Sequence, residues 1–151
     1  MLVLRRTRYL VPNPPEGPVL HVATYFRRTA GWRQARDFSK FNRQVETQIE
    51  STPGALAYSL QRLAIGRDFW TLSLWSDQRS MRAFVGAGSH RAAADWLDPA
   101  TKAAGTYTQW EAPQPSLRWA EAYERLGLPP PRGHVLAAPT SIPVGWRAEP
   151  R

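Results

Sequence analysis

The sequence predicts an α+β fold in which a four-stranded antiparallel sheet carries two amphipathic helices. Segments rich in β-branched and aromatic residues alternate with segments of helical periodicity, in the order β-α-β-β-α-β. The 151 residues are 42% hydrophobic and 21% charged, which is the composition of one globular domain. The chain has no cysteine, which excludes disulfides and thiolate metal sites and fits a reducing compartment.

The first predicted strand is followed by a long helix. The strand is VLHVATYFRR, residues 19–28. After Gly31, apolar residues recur at helical spacing and predict a helix that begins at Trp32; the others are Ala35, Phe38, Phe41, Val45 and Ile49. Pro53 and Gly54 then end the helical pattern.

The middle of the sequence predicts a hairpin followed by an interrupted helix. ALAYSLQRLAIG (55–66) and FWTLSLWS (69–76) are typical of strands joined by a short turn. Asp77 is a suitable N-cap for a helix over residues 78–85. The GAGS stretch at residues 86–89 interrupts the helical pattern. Ser89 is expected to cap a second short helix that runs from His90 to about Leu97.

The remaining elements complete the predicted domain and define its ends. GTYTQWEA (105–112) is a fourth strand, and residues 116–127 form a helix with Ser116 as N-cap and Gly127 as terminator. Residues 1–18 are expected to form an N-terminal arm that includes a short strand over residues 2–10. Residues 19–127 form the domain, and residues 128–151 form an extended proline-rich tail.

This order of elements is that of the ferredoxin-like fold, with both long helices on one face of the sheet. Side chains alternate between the faces of a strand, so Trp70, Leu72 and Leu74 are predicted to lie in the core. The opposite face receives a mixed polar and aromatic set, namely His21, Ala23, Tyr25, Thr71, Ser73 and Trp75. A mixed face suits a closed cavity better than bulk solvent, so we expect a homodimer in which two sheets enclose it.

The charge of the chain permits an anionic partner without identifying one. Its net charge is +8, and arginines account for 18 of the 20 basic residues. The arginines are spread along the chain and match no nucleic-acid-binding motif, so nucleic acid is a disfavoured partner. The apolar start is too short for a signal peptide and no apolar run could span a membrane, so a cytoplasmic protein without a membrane partner is expected.

The stretch FWTLSLWSDQRSMRAFVGAGSHRAAADW, residues 69–96, resembles the dimeric α/β-barrel superfamily. That superfamily includes antibiotic biosynthesis monooxygenases, polyketide cyclases and haem-degrading monooxygenases. Within it, the chain most resembles spheroidene-monooxygenase-like proteins and their uncharacterised relatives. The motif consists of Ser73 and Trp75 on a strand, Phe84 on the next helix, and His90 followed by alanines and Trp96. The resemblance covers residues 19–127 in architecture, and residues 69–96 carry its distinctive motif.

The resemblance implies an enzyme of secondary metabolism with a small-molecule substrate in the barrel cavity. His90 is the candidate base or polar anchor, because a neutral imidazole in the first turn of a helix can accept a proton. The candidate substrate-binding residues are Trp75, Ser73, Thr71, Tyr25, His21 and Phe84, although core packing also explains Phe84.

Four functions remain open from the sequence. The first is a monooxygenase that needs no cofactor, and the second is an aldol-type cyclase with the same base. The third is a haem monooxygenase with His90 as axial ligand, although the position of the ligand in haem-degrading relatives corresponds here to Ala94. The fourth is a dimeric binding domain without catalysis. No Walker, GxGxxG, HExxH or GxSxG motif is present, and three histidines without cysteine disfavour a protein-only zinc site.

Overall fold

A six-stranded sheet with helices on both faces organises the described part of the chain. The computed structural model describes residues 1–28, 30–101 and 105–147. The strands are β1 (Leu2–Tyr9), β2 (Val19–Arg27), β3 (Ala55–Leu63), β4 (Asp68–Trp75), β5 (Gly105–Ala112) and β6 (His134–Ala137). The helices are α1 (Trp32–Glu50), α2 (Gln78–Val85), α3 (Gly88–Thr101) and α4 (Trp119–Leu126), and a 3-10 turn spans Val144–Trp146.

The strand order confirms the predicted ferredoxin-like α+β fold. The sheet runs β5-β2-β4-β3-β1-β6, and its first four strands pair antiparallel. Strand β1, from the predicted arm, pairs antiparallel with β3, and β6, from the predicted tail, pairs parallel with β1. The division into arm, domain and tail stays a prediction, and residues 148–151 of the tail lie outside the described residues.

The register between β2 and β4 assigns side chains to the two faces of the sheet. Val22 is opposite Ser73 and Thr24 is opposite Thr71, whereas His21 is opposite Leu74. Residues directly opposite each other in an antiparallel pair share a face. The prediction that His21, Ala23 and Tyr25 share a face with Thr71, Ser73 and Trp75 is therefore wrong. The alternation of faces along each strand was predicted correctly. The error lay in the choice of which alternating set of β2 shares a face with Thr71, Ser73 and Trp75.

Both faces of the sheet are covered within one chain. One cluster joins Val22 and Trp75 of the sheet to Ile49 of α1 and to Met81 and Phe84 of α2. On the other face, the packing against α4 involves Ala23, Trp70, Leu72, Trp110, Trp119, Ala122, Tyr123 and Leu126. Helix α4 thus covers part of the face that we expected a second copy of the chain to cover.

Buried polar contacts fix α4 on the sheet. Gln61, which is fully buried, accepts hydrogen bonds from the Arg5 guanidinium at 2.8 and 3.1 Å and donates to the Tyr123 hydroxyl. The Trp119 indole donates to Ser59 Oγ at 3.0 Å. Satisfied polar pairs of this kind constrain orientation, because any shift would leave buried donors without acceptors.

Of the predicted helix-end residues Asp77, Ser116 and Gly127, the first and the last act as expected. The Asp77 carboxylate accepts from the Ser80 backbone N–H at 2.7 Å, and Gly127 ends α4 in the left-handed conformation at φ 68°. The prediction for Ser116 is wrong, because α4 begins at Trp119. The Ser116 backbone N–H instead donates to His21 Nε2.

The turn after α1 depends on a glycine. Gly54 has φ +87°, and a Cβ added there would lie 2.3 Å from Ser80 Oγ and 2.5 Å from Ser80 Cβ. Its carbonyl also accepts from the Ser76 backbone N–H at 2.9 Å. The turn therefore approaches the start of α2 so closely that no side chain fits between them.

We expect Gly54→Ala to reduce the free energy of unfolding by about 2–4 kcal/mol, because a strained backbone and a steric overlap act together. Gly17→Ala is the control, since Gly17 also has positive φ but an added Cβ would meet nothing within 4 Å. That variant should lose only about 1 kcal/mol. Urea denaturation of both variants measures the difference, and equal losses would contradict the close approach.

Candidate functional site

A cavity of about 570 Å³ lies between the sheet and helices α1, α2 and α3. Its volume is within the range of small-molecule sites. Residues of β2, β3 and β4 form its floor, and these include Val22, Thr24, Tyr58, Leu60, Thr71, Ser73 and Trp75. The helices contribute Phe38, Phe41, Asn42, Val45, Glu46, Met81, Phe84, His90, Ala93 and Trp96. The cavity is therefore on the sheet face that α1, α2 and α3 cover. The prediction that it lies on the face opposite the two long helices is wrong.

The structure brings six of the seven predicted site residues to this wall, namely His90, Trp75, Ser73, Thr71, Phe84 and Tyr25. The Tyr25 hydroxyl donates to Asp68, and its ring contacts Trp70 with ring centres 5.3 Å apart. His21 does not take part. It is fully buried on the α4 face and stacks on Trp110. The roles proposed for these residues stay predictions.

His90 presents one ring nitrogen that is engaged and one that is available. Nδ1 lies 3.0 Å from the Val85 carbonyl oxygen, which can only accept, so Nδ1 carries the proton. Among the described residues, none contributes a hydrogen-bond partner to Nε2. Burial lowers the pKa of the His90 imidazole, and the bond to Val85 opposes that shift only in part. The ring is therefore neutral near pH 7, with Nε2 able to accept a proton.

The Gln48 side chain connects α1 to the break between α2 and α3. Its amide nitrogen donates to the carbonyl oxygens of Phe84 at 3.1 Å and Ala87 at 3.0 Å. Its amide oxygen accepts from the His90 backbone N–H at 2.7 Å. One side chain thus satisfies the end of one helix and the beginning of the next. The prediction that Ser89 caps this helix is wrong, since α3 begins at Gly88 and the cap comes from α1.

Hydroxyl groups on the floor provide hydrogen-bond donors. Thr24 and Thr71 lie opposite each other and their hydroxyl oxygens are 2.5 Å apart. Their mutual hydrogen bond uses one of the two hydroxyl protons, so the other can bind an oxygen in the cavity. Ser73 Oγ accepts from the Trp75 indole at 2.9 Å, which leaves the Ser73 proton free to donate. Thr24 was missed because its face could not be assigned from the sequence.

Glu46 is a buried carboxylate in the cavity wall that the sequence analysis did not single out. Burial raises the pKa of this carboxyl, while the Arg6 guanidinium and the Tyr58 hydroxyl act in the opposite direction. Tyr58 donates to Glu46 at 3.2 Å, Asn42 donates at 3.4 Å, and Arg6 forms an ion pair with it. Glu46 interrupts the apolar face of α1, so helical periodicity alone gave it no role.

Solved structures with related folds come from several bacteria. A protein from Nitrosomonas europaea, described as an antibiotic biosynthesis monooxygenase, superposes with a TM-score of 0.57 at 12% identity, covering 68% of this chain and 98% of its own. One from Caulobacter crescentus with the same description has a TM-score of 0.53 at 21% identity, covering 66% and 92%. SnoaB from Streptomyces nogalater, a cofactor-independent oxygenase, has a TM-score of 0.50 at 14% identity, covering 68% and 99%.

The chain has the fold of the antibiotic biosynthesis monooxygenases. No protein-family model matches it, and no curated protein matches its sequence. The monooxygenase fold agrees with the superfamily that residues 69–96 predicted, whereas the narrower likeness to spheroidene-monooxygenase-like proteins stays a prediction. Within the described residues, no helix is both long enough and apolar enough to cross a membrane.

The cavity wall contains one candidate ligand for haem iron. Ala94 borders the cavity and has no atom that could bind iron, whereas the available Nε2 of His90 could do so. Glu46 is the one charged side chain among the described residues of the wall. A haem monooxygenase with His90 as axial ligand stays a prediction.

We expect Gln48→Ala to reduce the free energy of unfolding by about 1–3 kcal/mol, because three hydrogen bonds at two helix ends are lost. Gln44→Ala is the matched control, since Gln44 is exposed on the same helix and no hydrogen bond of its side chain is found within the described residues. Its effect should stay within about 0.5 kcal/mol. Thermal denaturation measures both variants, and equal losses would contradict the capping role of Gln48.

The buried His21 should make the stability of the fold depend on pH. Nε2 accepts from the Ser116 N–H at 3.0 Å and Nδ1 bonds the Val19 carbonyl at 2.9 Å, so the ring must be neutral to satisfy both. Burial lowers the pKa of His21 from its usual value near 6.5. Because the unfolded chain binds this proton more readily, His21 stabilises the fold above pH 6.5 and that contribution is lost as the pH falls below it.

The comparison is between the wild type and His21→Phe, which keeps the ring stack but cannot titrate. The variant should be less stable at pH 7, and its deficit should shrink toward pH 5 by at most about 1.4 kcal/mol per pH unit. Urea denaturation at several pH values measures the deficit. A deficit that stays constant across this range would contradict the linkage.

Proposed function

We propose that this chain is a cofactor-independent oxygenase of secondary metabolism that acts on an aromatic, polyketide or polyene substrate. The observation that carries the proposal is the cavity between the sheet and the helices, which combines apolar walls with the available Nε2 of a neutral His90. The cofactor-independent activity of SnoaB, on the same fold, supports the absence of a cofactor.

In the proposed reaction, His90 Nε2 removes a proton from a phenol or enol of the substrate. The resulting anion is electron-rich at the neighbouring carbon and transfers electrons to O2, with which that carbon forms a bond. The imidazolium returns its proton to the peroxide anion, and loss of water then leaves a carbonyl at the carbon that carries two hydrogens in the keto form of the substrate. One oxygen atom enters the product and the other leaves as water. The substrate supplies all four electrons, so no external reductant is needed.

His90 is a better base for this reaction than Glu46. The Glu46 carboxylate already accepts from Arg6, Asn42 and Tyr58, so a proton added there would compete with those donors. His90 Nδ1 is held by the Val85 carbonyl, which fixes the orientation of the ring and leaves Nε2 to act alone. The hydrogen bond from Nδ1–H also stabilises the imidazolium that forms when Nε2 takes the proton.

The floor of the cavity contributes binding and orientation. The hydroxyl groups of Thr24, Thr71 and Ser73 lie on one face of the sheet and would hold a carbonyl or phenolic oxygen of the substrate. Trp75 and Phe84 lie with ring centres 5.2 Å apart and form an aromatic wall. Donors fixed in this way before the reaction stabilise negative charge as it develops on the substrate oxygen.

Two other functions would use the same cavity. A cyclase would use the same base without consuming oxygen, and a binding domain would show no turnover. Oxygen uptake with a panel of polycyclic phenols, measured alongside product mass, therefore distinguishes the three. The homodimer remains part of the proposal. The molecular mass of the protein in solution tests it, since a dimer has twice the 17.1 kDa of one chain.

We expect His90→Ala to lower kcat/KM for oxygen uptake by about 10²–10⁴-fold, which is the usual contribution of a general base. The melting temperature should change little, because the substitution removes one side-chain hydrogen bond. In the wild type, kcat/KM should rise with pH through the lowered pKa of His90 and become constant above it, since the neutral ring is the active form.

Two variants control this experiment. Ser89→Ala alters the adjacent residue, which does not line the cavity, and should retain full activity. Glu46→Gln removes the carboxyl of the described wall and should leave the pH dependence in place, even if its activity falls. Retained activity in His90→Ala, or a pH dependence that disappears only in Glu46→Gln, would contradict the role of His90 as base.

A further inference from the structure

Beside the cavity lies a second cleft whose wall is rich in arginine. It has a volume of about 320 Å³. Among the described residues, five arginines and one carboxylate line it, namely Arg6, Arg28, Arg43, Arg62, Arg67 and Asp68. The spread of arginines along the sequence gave no indication of this concentration, which we call the arginine cleft.

The fold assembles the arginine cleft from five separate parts of the chain. Arg6 comes from β1, Arg62 from β3 and Arg43 from α1. Arg28 follows β2, and Arg67 lies in the turn between β3 and β4. The Arg28 side chain donates to the Gly66 carbonyl at 3.3 Å, and its backbone N–H donates to the Arg67 carbonyl at 3.0 Å. These contacts hold the hairpin turn against the end of β2 and keep the guanidinium groups close together.

The charges in the cleft favour an anion. Burial lowers the pKa of the Arg28 guanidinium, and the positive charges of Arg67 and Arg62 lower it further. These three groups are therefore near enough to repel one another, and an anion between them would relieve that repulsion. Guanidinium groups also match carboxylate and phosphate oxygens in geometry, because two parallel N–H bonds can form at once.

The arginine cleft adjoins the cavity, and four residues belong to both linings. Phe26, Phe38, Phe69 and Asn42 line both. The three phenylalanine rings pack together with centres 4.8 to 5.5 Å apart, so an aromatic cluster separates an apolar compartment from a cationic one. A molecule with an apolar body and one anionic group that extended past this cluster would contact both compartments.

We propose that the arginine cleft binds a carboxylate or phosphate group of the substrate while its apolar rings occupy the cavity. This inference rests on the proposed function, because it assumes that the cavity holds the substrate. It restricts the substrate class to amphipathic molecules with an anionic end, such as aromatic acids or phosphate esters. The cleft is concave and of small-molecule size, which favours such a ligand over a nucleic acid.

The test is binding of matched fluorescent probes, namely anthracene carboxylate, the carboxamide of the same ring system, and an anthracenyl phosphate ester. The wild type should bind the carboxylate or the phosphate ester at least about tenfold more tightly than the carboxamide, as charge-assisted bonds predict. The preference should weaken between about 0.05 and 0.5 M NaCl. The anionic probe that binds more tightly shows whether the cleft prefers a carboxylate or a phosphate group on its ligand.

Arg62→Gln combined with Arg67→Gln should lower the preference for the anion more than any single substitution and leave carboxamide binding unchanged. Arg43→Gln, an exposed substitution on α1, should weaken the preference on its own. Arg79→Gln makes the same change of charge outside both clefts and should have no effect. Melting temperatures verify that each variant is folded.

Equal binding of the anionic and neutral probes would contradict the proposal that the arginine cleft binds an anion. It would leave the cavity and the proposed oxygenase unaffected. Failure of all three probes to bind would overturn the cleft and also count against a substrate cavity. A short oligonucleotide that displaces the carboxylate and binds with a steep dependence on salt would identify a nucleic-acid surface instead, and the proposal would then be wrong. Loss of oxygen uptake in His90→Ala tests the oxygenase separately.

Discussion

The register between β2 and β4 determines which chemistry each face of the sheet contains. Neither strand lies at an edge of the sheet, and each has buried side chains on both of its faces. With Thr24 opposite Thr71, the hydroxyl groups and Trp75 face α1, α2 and α3, whereas His21 faces α4. A slip of one residue would move each of these side chains to the other face. The cavity and the core around α4 therefore depend on the same set of backbone hydrogen bonds.

Packing of α4 within the same chain gives the two faces of the sheet different environments. The α4 face is filled by aromatic side chains and fixed by the contacts of Gln61 and Ser59. On the opposite face, a cavity remains between the sheet and helices α1, α2 and α3, and Trp75 is part of its floor. Gln48 stabilises the interruption between α2 and α3, so the geometry around His90 depends on a residue in α1.

Local signals predicted the elements and several of their ends. Periodicity identified the strands and helices, Asp77 was recognised as a cap, and the motif around Trp75 and His90 led to the correct fold. Sequence could not decide which alternating set of β2 matches which set of β4, since both sets contain apolar residues. It also could not identify Gln48, whose partners lie 36 to 42 positions away in the chain. Contacts of that separation are set by packing, which no local pattern encodes.

The electrostatics of the two adjacent compartments support the proposed chemistry. Inside the cavity, Arg6 forms an ion pair with Glu46, and His90 is neutral before the reaction. The Glu46 carboxylate therefore repels a substrate anion only weakly. In the arginine cleft, positive charges cluster at one end of the sheet. A substrate held there by its own anionic group would be oriented without any cation in the apolar cavity. The deprotonation step then depends on one base and fixed hydroxyl donors, which is the arrangement that an oxygenase without a cofactor requires.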